Sequence, residues 1–134
     1  MTPTPLKAWI EGIGFLAPGL ADWPTARAVL RGEAAYSPAP SNLPAPGILP
    51  AAERRRASRV VKLTLAIGLE AAASAEADIS QLATVFTASG ADGHNCHALC
   101  EQLATEDRQI SPTRFHNSVH NAAAGYWGIA TKSM

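Results

Sequence analysis

The stretch SPTRFHNSVHNAAAGYWGI, residues 111–129, carries the clearest helical pattern near the end of the chain. Ser111 can cap a helix, and Pro112 suits the first helical position. Apolar side chains then recur three or four residues apart, at Phe115, Val119, Ala122, Tyr126 and Ala130. The pattern predicts one helix over residues 111–129.

The middle of this stretch presents very small side chains. Ala122, Ala123, Ala124 and Gly125 follow one another, so another backbone can come close, and we expect a helix that is buried on several sides. Glycine lowers helix stability by about 1 kcal/mol relative to alanine, which indicates that position 125 needs the space.

Two pairs of polar residues lie beside the apolar stripe at a spacing of four. They are His116 with His120 and Asn117 with Asn121. Because buried amides and imidazoles need hydrogen-bond partners, these pairs predict a specific neighbour rather than a purely apolar contact.

Length and composition predict one domain, residues 1–134. Hydrophobic residues make up 47% of the chain, and 11 basic residues balance 11 acidic ones. This neutrality excludes an electrostatic footprint for nucleic acid, and no apolar run is long enough to span a bilayer. Two cysteines without an export signal predict reduced thiols in the cytoplasm.

The rest of the chain alternates strand-like and helical patterns. Strands are predicted at residues 8–16, which contain Gly12 and Gly14 as marks of close backbone approach, and at residues 82–88. The predicted helices are 22–32, capped by Asp22, 51–77 and 94–104. Residues 34–50 are rich in proline and predict a connecting segment.

A run of three arginines, Arg54, Arg55 and Arg56, precedes the apolar part of the second predicted helix. A helix N-terminus disfavours cations. The arginines therefore either occupy a separate first turn or meet an anionic partner. A solvated run of charge is the simpler interpretation, and contact with an acidic surface such as a carrier protein is the functional one.

The compact set of soft ligands in the chain has the spacing H-x-C-H-x-x-C, formed by His94, Cys96, His97 and Cys100. Tetrahedral zinc sites usually draw ligands from two elements, whereas these four would share one helix. We predict ordinary helix residues with small buried thiols, and no metal site.

Two further kinds of site are weighed and not favoured. A nucleophilic cysteine with His116 or His120 as its base must have both groups adjacent in space, which spacing does not show. The glycine loop at residues 89–93 lacks the patterns that bind nucleotides.

The pattern SP-x-x-F-x-NSV-x-N-x-x-AG, residues 111–125, resembles β-ketoacyl synthases just ahead of their nucleophilic cysteine. It is most similar to the short ketosynthase-like N-terminal family, with members in aryl polyene and other polyketide-type pathways. The resemblance covers most of the chain: residues 9–16, 22–23 and 48–58 and the long alanine-rich helix that follows. It is strongest over residues 110–131.

The resemblance implies an α/β class, namely the N-terminal portion of a thiolase-like fold with an incomplete sheet covered by helices. It implies no cofactor. It also places the family's cysteine after the last residue, Met134, so no catalytic residue carries over and we expect a truncated domain. Because only two strands are predicted, a bare sheet edge, self-association and low solubility are expected.

By the same resemblance, several residues belong near the subunit interface and the acyl channel. These candidates are Phe115, Asn117, Ser118, Asn121, Gly125 and Tyr126. The implied partner is an active ketosynthase, in a homodimer or a heterodimer, with a role like that of a chain-length factor. An acyl carrier protein is a further candidate partner, through the three arginines.

Two alternatives stay open. One is a true 3-oxoacyl-carrier-protein synthase whose cysteine and two histidines lie beyond residue 134. The other is a small free-standing adaptor.

Overall fold

The computed structural model describes residues 6–90 and 92–133, so Ala91 of the predicted glycine loop and Met134 lie outside the described residues. The helices are α1 (Trp23–Leu30), α2 (Ala51–Arg56), α3 (Arg59–Ser74), α4 (Gly93–Leu103), α5 (Pro112–His116) and α6 (Ala122–Thr131). Within the described ranges the backbone forms one isolated antiparallel bridge, Ala17–Leu20, and no strand. The predicted sheet is therefore not confirmed.

The core lies between α3 and α6. Its buried members come from these two helices and from the chain around α2, namely Leu49, Ala57, Val61, Leu65, Tyr126 and Trp127. Phe86 packs against the indole of Trp127, with ring centroids 6.0 Å apart and planes tilted by 57°. The buried residues of α3 are Val61, Leu65 and Ala72.

The predicted helix over residues 51–77 is divided in two. Ala57 has ψ near 121°, which ends α2, and the Ser58 hydroxyl then accepts a hydrogen bond from the Val61 amide at 3.4 Å to start α3. Arg54, Arg55 and Arg56 therefore lie in a short helix of their own. Of the two arrangements that the sequence left open, the separate first turn is the one observed.

The single helix predicted over residues 111–129 is also wrong, because the chain breaks between α5 and α6. Asn117 ends α5 and turns its side chain inward, where its amide donates to the carbonyls of Arg56 at 2.9 Å and Thr113 at 3.0 Å. The Ser118 hydroxyl donates to the carbonyl of Phe115 at 2.7 Å. Side chains that bond to the backbone in this way compete with helix continuation.

The segments predicted as strands cross α3 without pairing. Glycine is required in the first segment: a Cβ on Gly12 would collide with the carbonyl of Ala71, and a Cβ on Gly14 with that of Ile67. The close approach predicted from these glycines is confirmed, but the neighbour is a helix. As the chain goes from 12 to 14 its contacts on α3 go from 71 to 67, so this segment runs against the direction of the helix.

A carboxylate on α3 holds the first segment and α1 in place. Glu70 accepts hydrogen bonds from the amide of Phe15 at 2.8 Å and from the amide of Trp23 at 2.6 Å. Asp22 caps α1 as predicted, accepting from the amide of Thr25 at 2.8 Å. Hydrogen bonding with the side chain of Thr25, and then with its amide, lowers the pKa of Asp22. Two side chains from different parts of the chain thus accept hydrogen bonds from the free backbone amides at the N-terminus of α1.

Candidate partner-binding site

The predicted interface segment presents apolar side chains to solvent on both of its helices. Phe115 on α5 is 63% exposed and Ile129 on α6 is 49% exposed, with Val119 between them at 48%. Large apolar side chains that cluster on a surface are typical of interaction sites. The exposure of Phe115 leaves its predicted interface role possible to test, and that role stays a prediction.

Asn117, in contrast, is an internal residue. It is buried, and its amide nitrogen ties the end of α2 to α5. Its Oδ1 atom has no hydrogen-bond partner among the described residues, and neither does Oδ2 of buried Asp92. An acceptor that is buried without a donor costs about 1–3 kcal/mol, so both oxygens favour a hydrogen-bond donor.

Tyr126 is internal as well. It is 1% exposed, its ring meets the edge of His116 with centroids 5.8 Å apart, and its hydroxyl has no partner in the described part of the chain. Burial raises the pKa of Tyr126 above 10.0, and the charge of Glu53 adds to this while Arg56 opposes it.

The small residues at the start of α6 are less covered than the sequence predicted. Ala122, Ala123 and Ala124 are half-buried and Gly125 is exposed. A Cβ on Gly125 would meet no atom within 4 Å of it. The side of α6 that carries Gly125 and Ile129 is exposed, and its other residues are buried or half-buried, so the helix is covered on several sides. The expectation that position 125 needs the space is wrong within the described residues.

A groove of about 540 Å³ opens beside this region. Its floor is α3, and its walls are residues 85–88, 117–120 and 122–123. Asp92 and Asn117, the residues that carry the two unpartnered oxygens, also line it. Ser118 and His120 contribute further polar groups to the same wall. The groove is therefore apolar along α3 and polar where α4 and α5 approach it.

The cysteines and histidines do not form a centre. Cys96 and Cys100 are free and exposed, so the prediction of buried thiols is wrong; the pattern fixed their spacing on α4 but not the side that α4 buries. His97 pairs with Glu101 at 3.4 Å. No group of three or more potential metal ligands exists in residues 6–90 and 92–133.

The comparison with protein families bears on residues 26–134, which match the family described as beta-ketoacyl synthase, N-terminal domain. The chain belongs to this family. Membership implies a thiolase-like fold, of which the described residues supply helices. Comparison with curated proteins found no match, and comparison with solved structures found none either.

The three arginines of this ketosynthase-family chain are placed differently from one another. Arg54 is half-buried, whereas Arg55 and Arg56 are exposed, and Arg56 lies 3.6 Å from Glu53. Arg59, in the first turn of α3, is exposed close to them. No helix in the described parts of the chain is long and apolar enough to cross a membrane.

Sequence reasoning missed several residues that shape this region. Asn95 is buried on α4 and donates to the carbonyl of Arg114 at 2.7 Å, and Asp92 caps α4 by accepting from the amide of Asn95 at 3.2 Å. The D-x-x-N spacing is a capping signal that was available in the sequence. The inward turn of Asn95 towards α5, by contrast, has no local signal.

Proposed function

We propose that this chain is a non-catalytic ketosynthase-like subunit of fatty-acid or polyketide-type biosynthesis, including aryl polyene pathways. It pairs with an active ketosynthase and shapes the acyl channel of that enzyme. The observation that carries the proposal is the exposure of three large apolar side chains, Phe115, Val119 and Ile129, all inside the segment matched to the family.

The groove beside α3 supports the second half of the proposal. It is bounded by residues 117–120 and 122–123 of the same matched segment and by apolar residues of α3, including Val61 and Ile67. A partner that covers Val119 would also lie over this cleft, because Val119 is exposed and lines it. Of the other candidate residues, Ser118 lines this cleft, and Asn121 and Gly125 are exposed, which leaves them accessible to a partner.

Co-expression tests the pairing. The chain is produced together with each β-ketoacyl synthase encoded in the same genome, and complexes are isolated and measured for affinity. We expect Phe115→Asp to weaken the complex at least tenfold, and the control Leu30→Asp, at an exposed apolar position on α1, to leave it unchanged. Capture of no ketosynthase, or equal weakening by both variants, would contradict the proposal.

Contact with an acyl carrier protein is proposed for Arg54, Arg55 and Arg56. Arg55 and Arg56 are exposed and Arg54 is half-buried, so this short helix presents positive charge that attracts an acidic partner. Salt screens such an attraction, so binding weakens as salt rises. The triple alanine variant should bind carrier protein more weakly and with a smaller salt dependence, while a double alanine variant at Arg27 and Arg31 on and beside α1 serves as the control. If the triple variant binds carrier protein as tightly as the original chain does, the proposed contact is ruled out.

The alternative, an N-terminal part of a true 3-oxoacyl-carrier-protein synthase, has one observation in its favour. Residues 12–15 and 82–88 both lie beside α3 and form no strand ladder. In a longer protein, further strands of a sheet would pair with two segments of this kind. The nucleotide sequence that follows codon 134 decides between the two. A cysteine in a family-type turn with two later histidines, and condensation by that longer protein, would establish the synthase.

A further inference from the structure

A second, smaller pocket adjoins the groove where the first turns of α3 and α4 meet α5. Ser58, Asp92 and Asn117 line both cavities. Every residue that lines the smaller one carries a polar side chain, and we call it the polar pocket. Its volume of about 280 Å³ is close to the lower end of small-molecule sites, roughly 300–1,000 Å³. A cavity of this size and lining suits a small polar ligand.

Two buried acceptors in the wall of the polar pocket lack a donor. Asp92 is 8% exposed and Asn117 is 5% exposed. Oδ2 of Asp92 and Oδ1 of Asn117 have no hydrogen-bond partner within residues 6–90 and 92–133. A carboxylate oxygen and an amide oxygen together favour a charged donor such as an ammonium group. Both oxygens are covered in this structure, so a ligand reaches them after a small movement of the pocket wall.

Two guanidinium groups line the same pocket and form no ion pair with a described residue. They belong to Arg59 and Arg114, and both residues are exposed. Arg59 is also the first residue of α3, where the backbone amides have no partner inside the helix and negative charge is favourable. The polar pocket therefore offers groups that bind an anion beside acceptors that bind a cation.

Hydrogen bonds between helices hold these groups in place. The amide nitrogen of Asn95 on α4 donates to the carbonyl of Arg114 on α5 at 2.7 Å. The amide nitrogen of Asn117 donates to the carbonyl of Arg56 at the end of α2 at 2.9 Å. A site whose walls are fixed before binding loses less conformational entropy when the ligand enters.

We infer that the polar pocket binds a free α-amino acid with an apolar side chain. The carboxylate of the amino acid pairs with Arg59 and Arg114, and its ammonium group donates to the free oxygens of Asp92 and Asn117. An anion without the ammonium group would leave both oxygens unsatisfied. A cation without the carboxylate would meet the two guanidinium groups unscreened.

The groove takes the side chain of the amino acid. It continues from Asp92 and Asn117 along apolar residues that include Val61 and Val119. Burial of apolar side-chain atoms there adds affinity in proportion to the area removed from water. This inference concerns the chain itself and does not depend on the proposed pairing with a ketosynthase.

A series of ligands tests which groups are recognised. L-leucine is titrated into the full 134-residue chain at neutral pH and followed by proton–nitrogen NMR spectra. The amide resonances of residues 58–60 and 92–95 should shift. Isocaproate has the leucine skeleton without the ammonium group, and leucinamide lacks the carboxylate. Each should bind at least about tenfold more weakly than leucine, because each loses charged hydrogen bonds.

Two variants test which residue meets which group. Asp92→Asn keeps a residue that caps helices well but replaces the free acceptor with a donor. It should weaken leucine at least about tenfold without weakening isocaproate. Arg59→Gln should weaken leucine and isocaproate without weakening leucinamide. Arg27→Gln, at an exposed position on α1 outside the pocket lining, should change none of them, and circular dichroism establishes that all three variants are folded.

Four results would overturn the inference. They are the absence of leucine binding at millimolar concentration, equal affinity for leucine and isocaproate, equal affinity for leucine and glycine, and leucine binding that Asp92→Asn leaves intact. Binding to a ketosynthase is measured separately, with Phe115→Asp outside this pocket, so either proposal can fail while the other stands.

Discussion

Gly68 on α3 faces the indole ring of Trp127 on α6 with no room for a side chain between them. A Cβ placed on Gly68 would lie 2.9 Å from Cη2 and 3.3 Å from Cε3 of the ring. Trp127 is 3% exposed, and Phe86 packs against its ring as well. The ring thus contacts both Gly68 and Phe86, and the contact with Gly68 limits how closely α3 and α6 approach each other.

We therefore expect Gly68→Ala to destabilise the protein, although alanine favours a helix by about 1 kcal/mol. Overpacking a well-filled site costs about 1–3 kcal/mol, so the net loss in the free energy of unfolding should reach up to about 2 kcal/mol. Urea denaturation followed by circular dichroism measures it.

Gly125→Ala on α6 is the matched control, because a Cβ there meets no atom within 4 Å. We expect this variant to gain up to about 1 kcal/mol from helix propensity alone. If both substitutions change the free energy of unfolding by the same amount, the contact between Gly68 and Trp127 does not limit the packing. If Gly125→Ala is stable but loses the ketosynthase partner, the space at position 125 serves the interface.

A second prediction concerns Glu70, whose two carboxylate oxygens accept from the amides of Phe15 and Trp23. Glu70→Gln replaces one acceptor with an NH2 group that faces an amide N–H. We expect a loss of about 1–3 kcal/mol, since a part-buried donor is left without a partner. Thermal and chemical unfolding measure the loss.

The control for Glu70 is Glu101→Gln, which removes the charge from an exposed pair with His97 at 3.4 Å. Exposed pairs contribute about 0–1 kcal/mol, so this change should have little effect. A loss at position 70 that is no larger than the loss at position 101 would show that Glu70 does not anchor the segment before α1.

Features that depend on neighbouring residues were predictable from the sequence. Asp22 caps α1, α4 begins within a residue of its predicted start, and Gly12 and Gly14 mark a close approach. Each of these follows from capping, from turn chemistry or from the absence of a Cβ. Which element lies next to these glycines was not predictable, because a closely packed strand and a closely packed helix both exclude a Cβ.

Features that depend on distant contacts were not predictable. The break after α5 involves a hydrogen bond from Asn117 to Arg56, 61 residues earlier in the chain, and periodicity carries no information about such a pair. The candidate site divides for the same reason: Phe115 lies on the surface, whereas Asn117 and Tyr126, with the same predicted role, turn inward.

A third prediction follows from that inward turn. Asn117→Asp replaces an amide that donates to the carbonyls of Arg56 and Thr113 with a carboxylate that only accepts. The buried charge would face two carbonyl oxygens, so we expect a loss of at least about 3 kcal/mol or failure to fold. Asn117→Ala, which lacks the charge, should lose about 1–3 kcal/mol.

Asn121→Asp is the control for the same change in chemistry. Asn121 is exposed at the N-terminus of α6, where a negative charge is favourable by about 0.3–1 kcal/mol. We expect this variant to be as stable as the original chain or more so. Equal losses at positions 117 and 121 would mean that the tie between α2 and α5 does not stabilise the protein.

The fourth prediction concerns alkaline pH and the two tyrosines of the chain. Burial, with the charge of Glu53, raises the pKa of Tyr126 above 10.0. The folded protein therefore holds this proton more tightly than the unfolded chain does. The resulting contribution to stability is complete below pH 10.0 and is lost as pH rises through the folded-state pKa.

Tyr126→Phe should abolish this part of the alkaline loss and leave stability near pH 7 unchanged or higher, because the buried hydroxyl has no partner among the described residues. Tyr36→Phe is the control: the exposed Tyr36 hydroxyl donates to the carbonyl of Pro18 at 3.1 Å, so its loss should cost less than about 1 kcal/mol and leave the alkaline slope intact. Urea unfolding between pH 7 and pH 11, roughly spanning the ordinary tyrosine pKa, measures both. If Tyr126→Phe loses stability with rising pH as steeply as the original chain does, the Tyr126 hydroxyl reaches water or a partner that ionises with it.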